Sequence, residues 1–536
     1  MSRSVTHPTF ALFRVLVAAF AMMLPLLGAP VQAQSTAFKQ AVAEAASGDP
    51  ALAEFYRVRD FAPLWTSSGD RSRRAALLKA LDTAWVHGLP EMRYDVEGLR
   101  AAFRDADSPR ARGLLDVQAS TVFLQYAQDV QSGALSPSRI DKTIVRSLPR
   151  RDRLAQITAF SKSNASRFIK ALPPQSNGYA RLMKAKLEME KTIGAGGWGP
   201  KVTAAALKPG QSGPQVVALR DRLIRMGYLK RTVSATYDAA LQVAVQRFQQ
   251  DHGLAADGVA AKITLREINT EPTERLKSII VGLERERWMN FELGPRHIMV
   301  NIPDFHARVM ENGKEVFATR VVVGKNTSDR RTPEFSDEMD HMVINPTWNV
   351  PRSIATKEYL PKLQENPNAH SYMRLVDASG RTVNRAEVDF TQFNARSFPF
   401  DIKQPPSNRN ALGLVKFMFP NKHNIYLHDT PAKSLFGRES RAYSHGCVRV
   451  ADPFDFAYEL LSKQERDPEG FFKTTLAKGK ETWVYLDKPV PVHLVYQTAF
   501  APAKGNTQYR RDVYGRDARL WDALAQAGVV LRAVQS

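Results

Sequence analysis

Hydrophobic and polar positions change their rhythm several times along the chain, and each change predicts a different kind of element. An apolar stretch from Val15 to Leu27 follows Arg3 and Arg14, and Val31-Gln32-Ala33 supplies a small-x-small pattern. That apolar core is shorter than the roughly 20 residues a membrane helix needs, so residues 1–33 read as a cleaved secretory signal peptide. From 34 to 195 the spacing is helical: Leu77, Leu78, Leu81 and Trp85 share one face, as do Leu115, Val122 and Tyr126. This predicts a helical scaffold domain without clustered polar chemistry. Gly194, Gly196, Gly197 and Gly199, followed by Pro200, mark a break.

Within 205–272 the period gives two short amphipathic helices closed by glycines (Gly227 and Gly253), with Thr264 to Ile268 beginning a third. Gly213-Pro214, Met226-Gly227-Tyr228-Leu229, Ala244-Val245-Gln246-Arg247-Phe248-Gln249 and Asp257-Gly258 make this block resemble the three-helix peptidoglycan-binding module of wall enzymes. Ala260-Ala261 stands where that family usually carries a glycine-containing pair. A basic helical linker is expected over 274–287. Beyond it, in 288–520, the period becomes two. His297–Ile302, Arg308–Met310, Glu315–Phe317, Arg320–Gly324, Met342–Asn345, Val415–Phe419, Ile425–His428 and Thr482–Leu486 read as strands, with a hairpin at Asn312-Gly313. A polar stretch over 353–412 interrupts them, and helix signals near Lys357 to Leu363 favour a partly ordered lid. A C-terminal helix is expected over 521–536. The fold class is thus multidomain α+β: helical scaffold, small helical module, and a mainly-β, sandwich-like or barrel-like domain carrying a lid insertion.

Composition excludes wholesale disorder: 43% of residues are hydrophobic and 24% charged. The formal charge of +21 favours acidic partners. With export expected, to the periplasm, these are cell-wall carboxylates and anionic lipids rather than nucleic acid. No second apolar run reaches spanning length, so the mature chain is expected to be peripheral to the envelope without a transmembrane span. Cys447 is the single cysteine, which excludes an intrachain disulfide. An unpaired thiol in an oxidising compartment reads equally as a reactive group or as a small buried hydrophobe.

Ile425-Tyr426-Leu427-His428-Asp429-Thr430 and Ser444-His445-Gly446-Cys447-Val448-Arg449 hold the candidate chemistry. Acyl transfer through a thiol needs a thiolate, a base to form it and donors for the oxyanion. His428 ends a predicted strand and Cys447 lies in a second extended stretch, so neighbouring strands could bring the two together. Gly446 leaves backbone N–H groups open to approach. Arg449, two residues beyond Cys447, would share its face if the segment is extended, placing a guanidinium where a substrate carboxylate could bind.

The Ser-His-Gly-Cys-Val-Arg run with its upstream histidine resembles the signature of the L,D-transpeptidases, large Gram-negative branch. Asn345-Pro346-Thr347-Trp348, Asn410-Ala411-Leu412-Gly413, Lys416-Phe417, Phe419-Pro420-Asn421 and Tyr485-Leu486 extend the resemblance. It implies Cys447 as nucleophile, His428 as general base, the Asp429 backbone carbonyl orienting the imidazole, and Tyr426 with the backbone around Gly446-Cys447 as oxyanion stabilisers. Arg449, His445 and Trp348 would contact substrate, each with a structural role as its alternative. His423, Ser444 and the lid charges read as structural or solvated. The resemblance further implies a tetrapeptide-stem donor, a diamino-acid acceptor, 3→3 cross-links made with release of D-Ala, carbapenem sensitivity, and neither metal nor organic cofactor. Alternatives are a cysteine peptidase or carboxypeptidase, an enzyme attaching protein to the wall, a zinc site on His428, His445 and Cys447, and a non-catalytic wall-binding scaffold.

Overall fold

A computed structural model describes residues 29–532, with side chains from residue 35. The expected signal peptide, 1–33, falls outside the residues with described side chains. The scaffold packs one helical core between Val42 and Leu172. Its central helix α1 (Pro109–Ser132) is capped by the Ser108 side chain and ends at Gly133, φ +96°. Asp116, fully buried on α1, accepts the backbone N–H groups of Leu64, Trp65 and Thr66, tying the preceding loop to the helix. Helix α2 (Asn177–Gly194) runs to the predicted glycine break.

The small module folds around its own core from Val202 to Ile268. Helices α3 (Pro214–Arg225) and α4 (Ala239–Asp251) are followed by Gly227 and Gly253 in positive φ. The third, α5, spans Lys262–Ile268, two residues earlier than its predicted start. The segment expected as a basic linker is helix α6 (Pro272–Trp288), and it is far from exposed. Leu276, Ile279, Ile280, Leu283 and Trp288 are buried, and so are Arg285 and Arg287. The basic residues that suggested solvent are instead paired: Arg287 bonds to Glu284 at 2.6 Å, and Arg285 to Glu334 at 2.6 Å.

The large sheet contains β1 (Arg296–Asn301), β2 (His306–Glu311), β3 (Lys314–Gly324), β4 (Phe335–Ile344), β8 (Val415–Met418), β9 (Leu427–His428), β10 (Ala442–Ser444), β11 (Val448–Val450) and β12 (Thr482–Val495). The order is β10-β3-β11-β9-β8-β4-β12-β1-β2, and the β2–β3 hairpin closes eight of these strands into a ring. It is therefore one closed mixed sheet rather than two stacked sheets, which leaves few free edges. Ile298, Val321, Met342, Phe417, Leu427 and Val448 fill its interior.

The insertion is an ordered subdomain. Strands β5 (Trp348–Asn349), β6 (Arg374–Val376) and β7 (Asp401–Gln404) form a separate three-stranded sheet. Helical turns over 352–365 pack on it around Leu360, Leu363, Phe390 and Ile402. The unit begins at Trp348, before the predicted 353, because β5 belongs to its sheet. The last helix, α7, spans Arg516–Gln526 rather than 521–536. The Asp512 carboxylate accepts the N–H groups of Arg516, Asp517 and Ala518, which fixes the earlier start. Among the described residues no helix is long and apolar enough to cross a membrane.

Candidate active site

Strands β9 and β11 run parallel, with Leu427 opposite Val448 and His428 opposite Arg449. Leu427 and Val448 face the core. Side chains alternate along a strand, so Tyr426, His428, Cys447 and Arg449 all lie on the outer face. Lys416 of β8 pairs directly with His428 and extends that face. These residues line a cleft of about 800 Å³, with Trp348, Glu358 and Tyr359 of the lid on its far side.

The loop carrying the cysteine is held by its own polar groups. Gly446 sits at φ +123°, and an added Cβ would come within 3.2 Å of Ile425 Cδ1, so glycine is required here. The Gly446 N–H donates to Ser444 Oγ at 3.1 Å, and Ser444 Oγ–H donates to the Cys447 carbonyl. Buried Thr332 donates to the Gly446 carbonyl at 2.7 Å. The Gly446 N–H, expected to face an oxyanion, is thus committed to Ser444, while no acceptor among the described residues takes the Cys447 N–H. Ser444 is structural, as its sequence context suggested.

Cys447 is half-buried. Its Sγ lies 3.5 Å from the Asn424 carbonyl, and both the hydroxyl and the backbone N–H of Tyr426 reach it. Burial pushes the thiol up to about 11, with Tyr426 and the Arg449 charge opposing. His428 is buried, and its Nδ1 donates to the Asp429 carbonyl. That bond places the proton of the neutral ring on Nδ1, and the ring has a second backbone partner in Leu412. Burial, then the charge of Arg449, hold His428 down to about 3. At neutral pH the site therefore contains a thiol and a neutral imidazole rather than an ion pair. His428 is not among the hydrogen-bond partners of Cys447 in this resting arrangement, although the two share one face and one cleft.

The remaining candidates divide. Trp348 lines the cleft and bonds to the Tyr426 hydroxyl. The Asp429 carboxylate accepts Leu414 N–H, Thr430 N–H and Lys433 Nζ, so it braces the loop and leaves the backbone carbonyl to His428. Arg449 lines the cleft with no carboxylate partner among the described residues, and its Nε is buried without a hydrogen bond. His445 Nε2 lies 2.7 Å from Glu358 of the lid, which also binds Arg330 at 2.7 Å. Glu358 is one of the lid charges expected to be structural or solvated. Nothing local in the sequence joins it to His445, 87 residues away. Lys416 and Asn424 were likewise missed as cleft residues, although Lys416-Phe417 belongs to the family-like motifs. His428, His445 and Cys447 do not converge: among the described residues no group of three His, Cys, Asp or Glu side chains is placed to hold a metal ion.

Residues 295–492 match the family model of the L,D-transpeptidase catalytic domain. Residues 50–185 match that of a scaffold domain, and 212–268 that of a model described as "Putative peptidoglycan binding domain". A Haemophilus influenzae protein named "Putative L,D-transpeptidase" is 36% identical over 226 residues, 42% of this chain and 45% of that protein. The chain thus spans less than half the length of this relative. Among solved structures, the L,D-transpeptidase of Xylanimonas cellulosilytica (residues 123–326) is 13% identical, covering 55% of this chain and 98% of that one at a TM-score of 0.16. That of Stackebrandtia nassauensis is 15% identical, covering 55% and 97% at a TM-score of 0.22. At such scores neither carries a structural argument.

Proposed function

Starting from an L,D-transpeptidase catalytic domain joined in one chain to a peptidoglycan-binding domain, we propose that this protein forms 3→3 cross-links between peptidoglycan stems through a thioester on Cys447. The observation that carries the reading is the shared face of Tyr426, His428, Cys447 and unpaired Arg449 in one cleft. Cys447 Sγ attacks the carbonyl joining the third stem residue to the terminal D-Ala, as Nε2 of His428 takes the thiol proton. The C–S bond forms, the C–N bond breaks, and the imidazolium returns its proton to the departing D-Ala amine. A side-chain amine of a second stem then attacks the thioester: the new C–N bond forms, the C–S bond breaks, and His428 takes the amine proton and passes it to the departing Cys447 thiolate. The Cys447 N–H and the Tyr426 hydroxyl are the donors offered to the oxyanion.

Because the thiol is held high and the imidazole low, proton transfer accompanies the attack on the bound substrate instead of preceding it. Catalytic hydrogen bonds commonly tighten only in the substrate complex. Arg449 and Lys416 offer charge to the donor's carboxylates. A peptidoglycan substrate calls for a working site outside the cytoplasm.

The test incubates the protein and its Cys447→Ala variant with tetrapeptide-stem muropeptides and reads products by mass spectrometry. Dimers with 3→3 bonds and released D-Ala, from the Cys447 protein alone, are expected. D-Ala without dimers would make it a carboxypeptidase. No turnover and no thioester adduct would overturn the enzymatic reading and leave a wall-binding scaffold.

A further inference from the structure

The outer face that carries the site does not end at the cleft. The register continues its row: Arg449 pairs with His428, His428 with Lys416, Lys416 with Val343, and Val343, itself fully buried between cleft and patch, with Trp483 of β12. One pleat further along, Tyr485 pairs with His341. Trp483 and Tyr485 are 51% and 61% exposed, an unusual state for two adjacent large aromatics on a sheet face. They are also rigidly backed. His341 stacks against Trp483 with centroids 4.7 Å apart and planes 10° apart, and lies 5.2 Å from Tyr485. Its own Nδ1 is fixed by Asp340 at 2.6 Å. Glu481 joins this patch to the cleft wall, accepting from Trp483 Nε1 at 3.3 Å and from the Thr347 N–H at 2.6 Å.

We propose that Trp483 and Tyr485 form a saccharide platform that binds the amino-sugar portion of the substrate whose stem peptide enters the Cys447 cleft. The proposal rests on the substrate reading above and extends it to a second subsite. Pyranose rings present flat C–H faces that stack on indole and phenol rings, and such rings bring large contact area at low entropy cost. Reach agrees. Trp483 lies three strand spacings from His428 and four from Arg449, roughly 14 to 19 Å at ~4.8 Å per spacing. Three extended residues between the cleaved bond and the sugar span roughly 10 Å, so the first sugar rings fall just beyond, where the platform begins. A patch with no bearing on the reaction need not lie on this face, in this row, at this distance.

The test measures binding to the otherwise full Cys447→Ala chain by calorimetry, using a disaccharide-tetrapeptide, the free tetrapeptide, and an amino-sugar oligomer without any stem. The sugar-bearing donor should bind about tenfold tighter than the free tetrapeptide. Trp483→Ala or Tyr485→Ala, each in that background and checked for unchanged melting, should erase that advantage and lower binding of the stemless oligomer to what the 212–268 module supplies alone. Equal affinity of the two donors before any platform substitution would overturn the platform while leaving the transpeptidase reading intact. Loss of binding to both donors in equal measure would overturn it too, marking the substitution as a disturbance of the cleft. If neither donor binds but the oligomer does, in a Trp483-dependent way, the platform stands and the stem-peptide reading falls. A Trp483-dependent dimer in sedimentation, without sugar discrimination, would give this face to a second copy of the chain.

Discussion

A buried pair of arginines and a single half-buried one lie close together in this molecule and have opposite surroundings. At the joint between scaffold and sheet, Glu334 takes Arg285 at 2.6 Å and Arg516 at 3.0 Å. Arg516 also reaches the Thr143 hydroxyl and the Thr332 carbonyl, and both arginines lie 5.0 Å from the Tyr496 ring. Glu334 itself exchanges backbone hydrogen bonds with the scaffold at Thr143 and Val145. In the cleft, Arg449 has neither carboxylate nor carbonyl for its guanidinium among the described residues, and burial lowers it from its ordinary value. A buried charge that is fully paired is balanced within the fold, whereas a half-buried one without a partner is left uncompensated by the protein. The two sites are also linked, since Thr332, whose carbonyl Arg516 holds, donates its hydroxyl to Gly446 beside the cysteine.

Removing one partner at the joint should break the comparison most severely. Glu334→Gln removes the carboxylate the two arginines share, leaving Arg285 with Asp517 at 3.2 Å and Arg516 with Asp141 at 3.7 Å, and is expected to cost at most about 3–5 kcal/mol, the penalty for breaking a buried pair, read by denaturant unfolding. An unchanged midpoint would mean the cluster is not what docks the scaffold. Arg449→Met keeps the aliphatic stem and deletes the charge. Here stability should hold or rise slightly, while KM for the tetrapeptide donor increases about 10- to 100-fold, corresponding to a lost charge-assisted contact of about 1.5–3 kcal/mol. A destabilised variant with an unaltered KM would place Arg449 with the structural arginines instead.

The sequence made one of these sites far easier to find than the other. Cys447, Gly446 and Arg449 are contiguous, His428 lies on the neighbouring strand, and β-alternation alone puts the polar ones on one face. The joint is assembled from Thr143, Arg285, Glu334 and Arg516, which share no local pattern. Four basic residues within 274–287 made α6 look like a solvated linker, because composition does not reveal that Glu284 and Glu334 neutralise its arginines. Strand β4 was foreseen only from Met342, since Ser336, Asp337, Glu338 and Asp340 mask the alternation of its first half. Strand β12 was foreseen only to Leu486, since Asp487-Lys488-Pro489 falls at the register shift that splits its pairing. The lid read as polar because its core of Val350, Leu360, Leu363, Phe390 and Ile402 is dispersed over more than fifty residues.

Between the paired and the unpaired arginines stands a third state: buried imidazoles kept neutral. Burial first, aided by Arg449, brings His428 down to about 3; burial and Arg287 bring His87 to about 4, and burial brings His493 to about 4. An unfolded histidine titrates near 6.5, so below that pH the unfolded chain binds protons that the folded chain refuses. Their contribution to stability is complete above about pH 6.5 and is lost as the pH falls from there towards 4, by roughly 1 kcal/mol per histidine at pH 5.5. His87 is the cleanest probe, because its ring stacks on Tyr179 with planes 18° apart, far from the cleft. His87→Phe preserves an aromatic ring there and removes the titration. Compared by urea unfolding at pH 7.5 and 5.5, it should lose about 1 kcal/mol less than the parent on acidification. A loss identical to the parent's would mean that His87 already gains its proton in the fold, and that acid sensitivity arises at His428 and His493, where the cleft and the sheet keep the imidazoles dry.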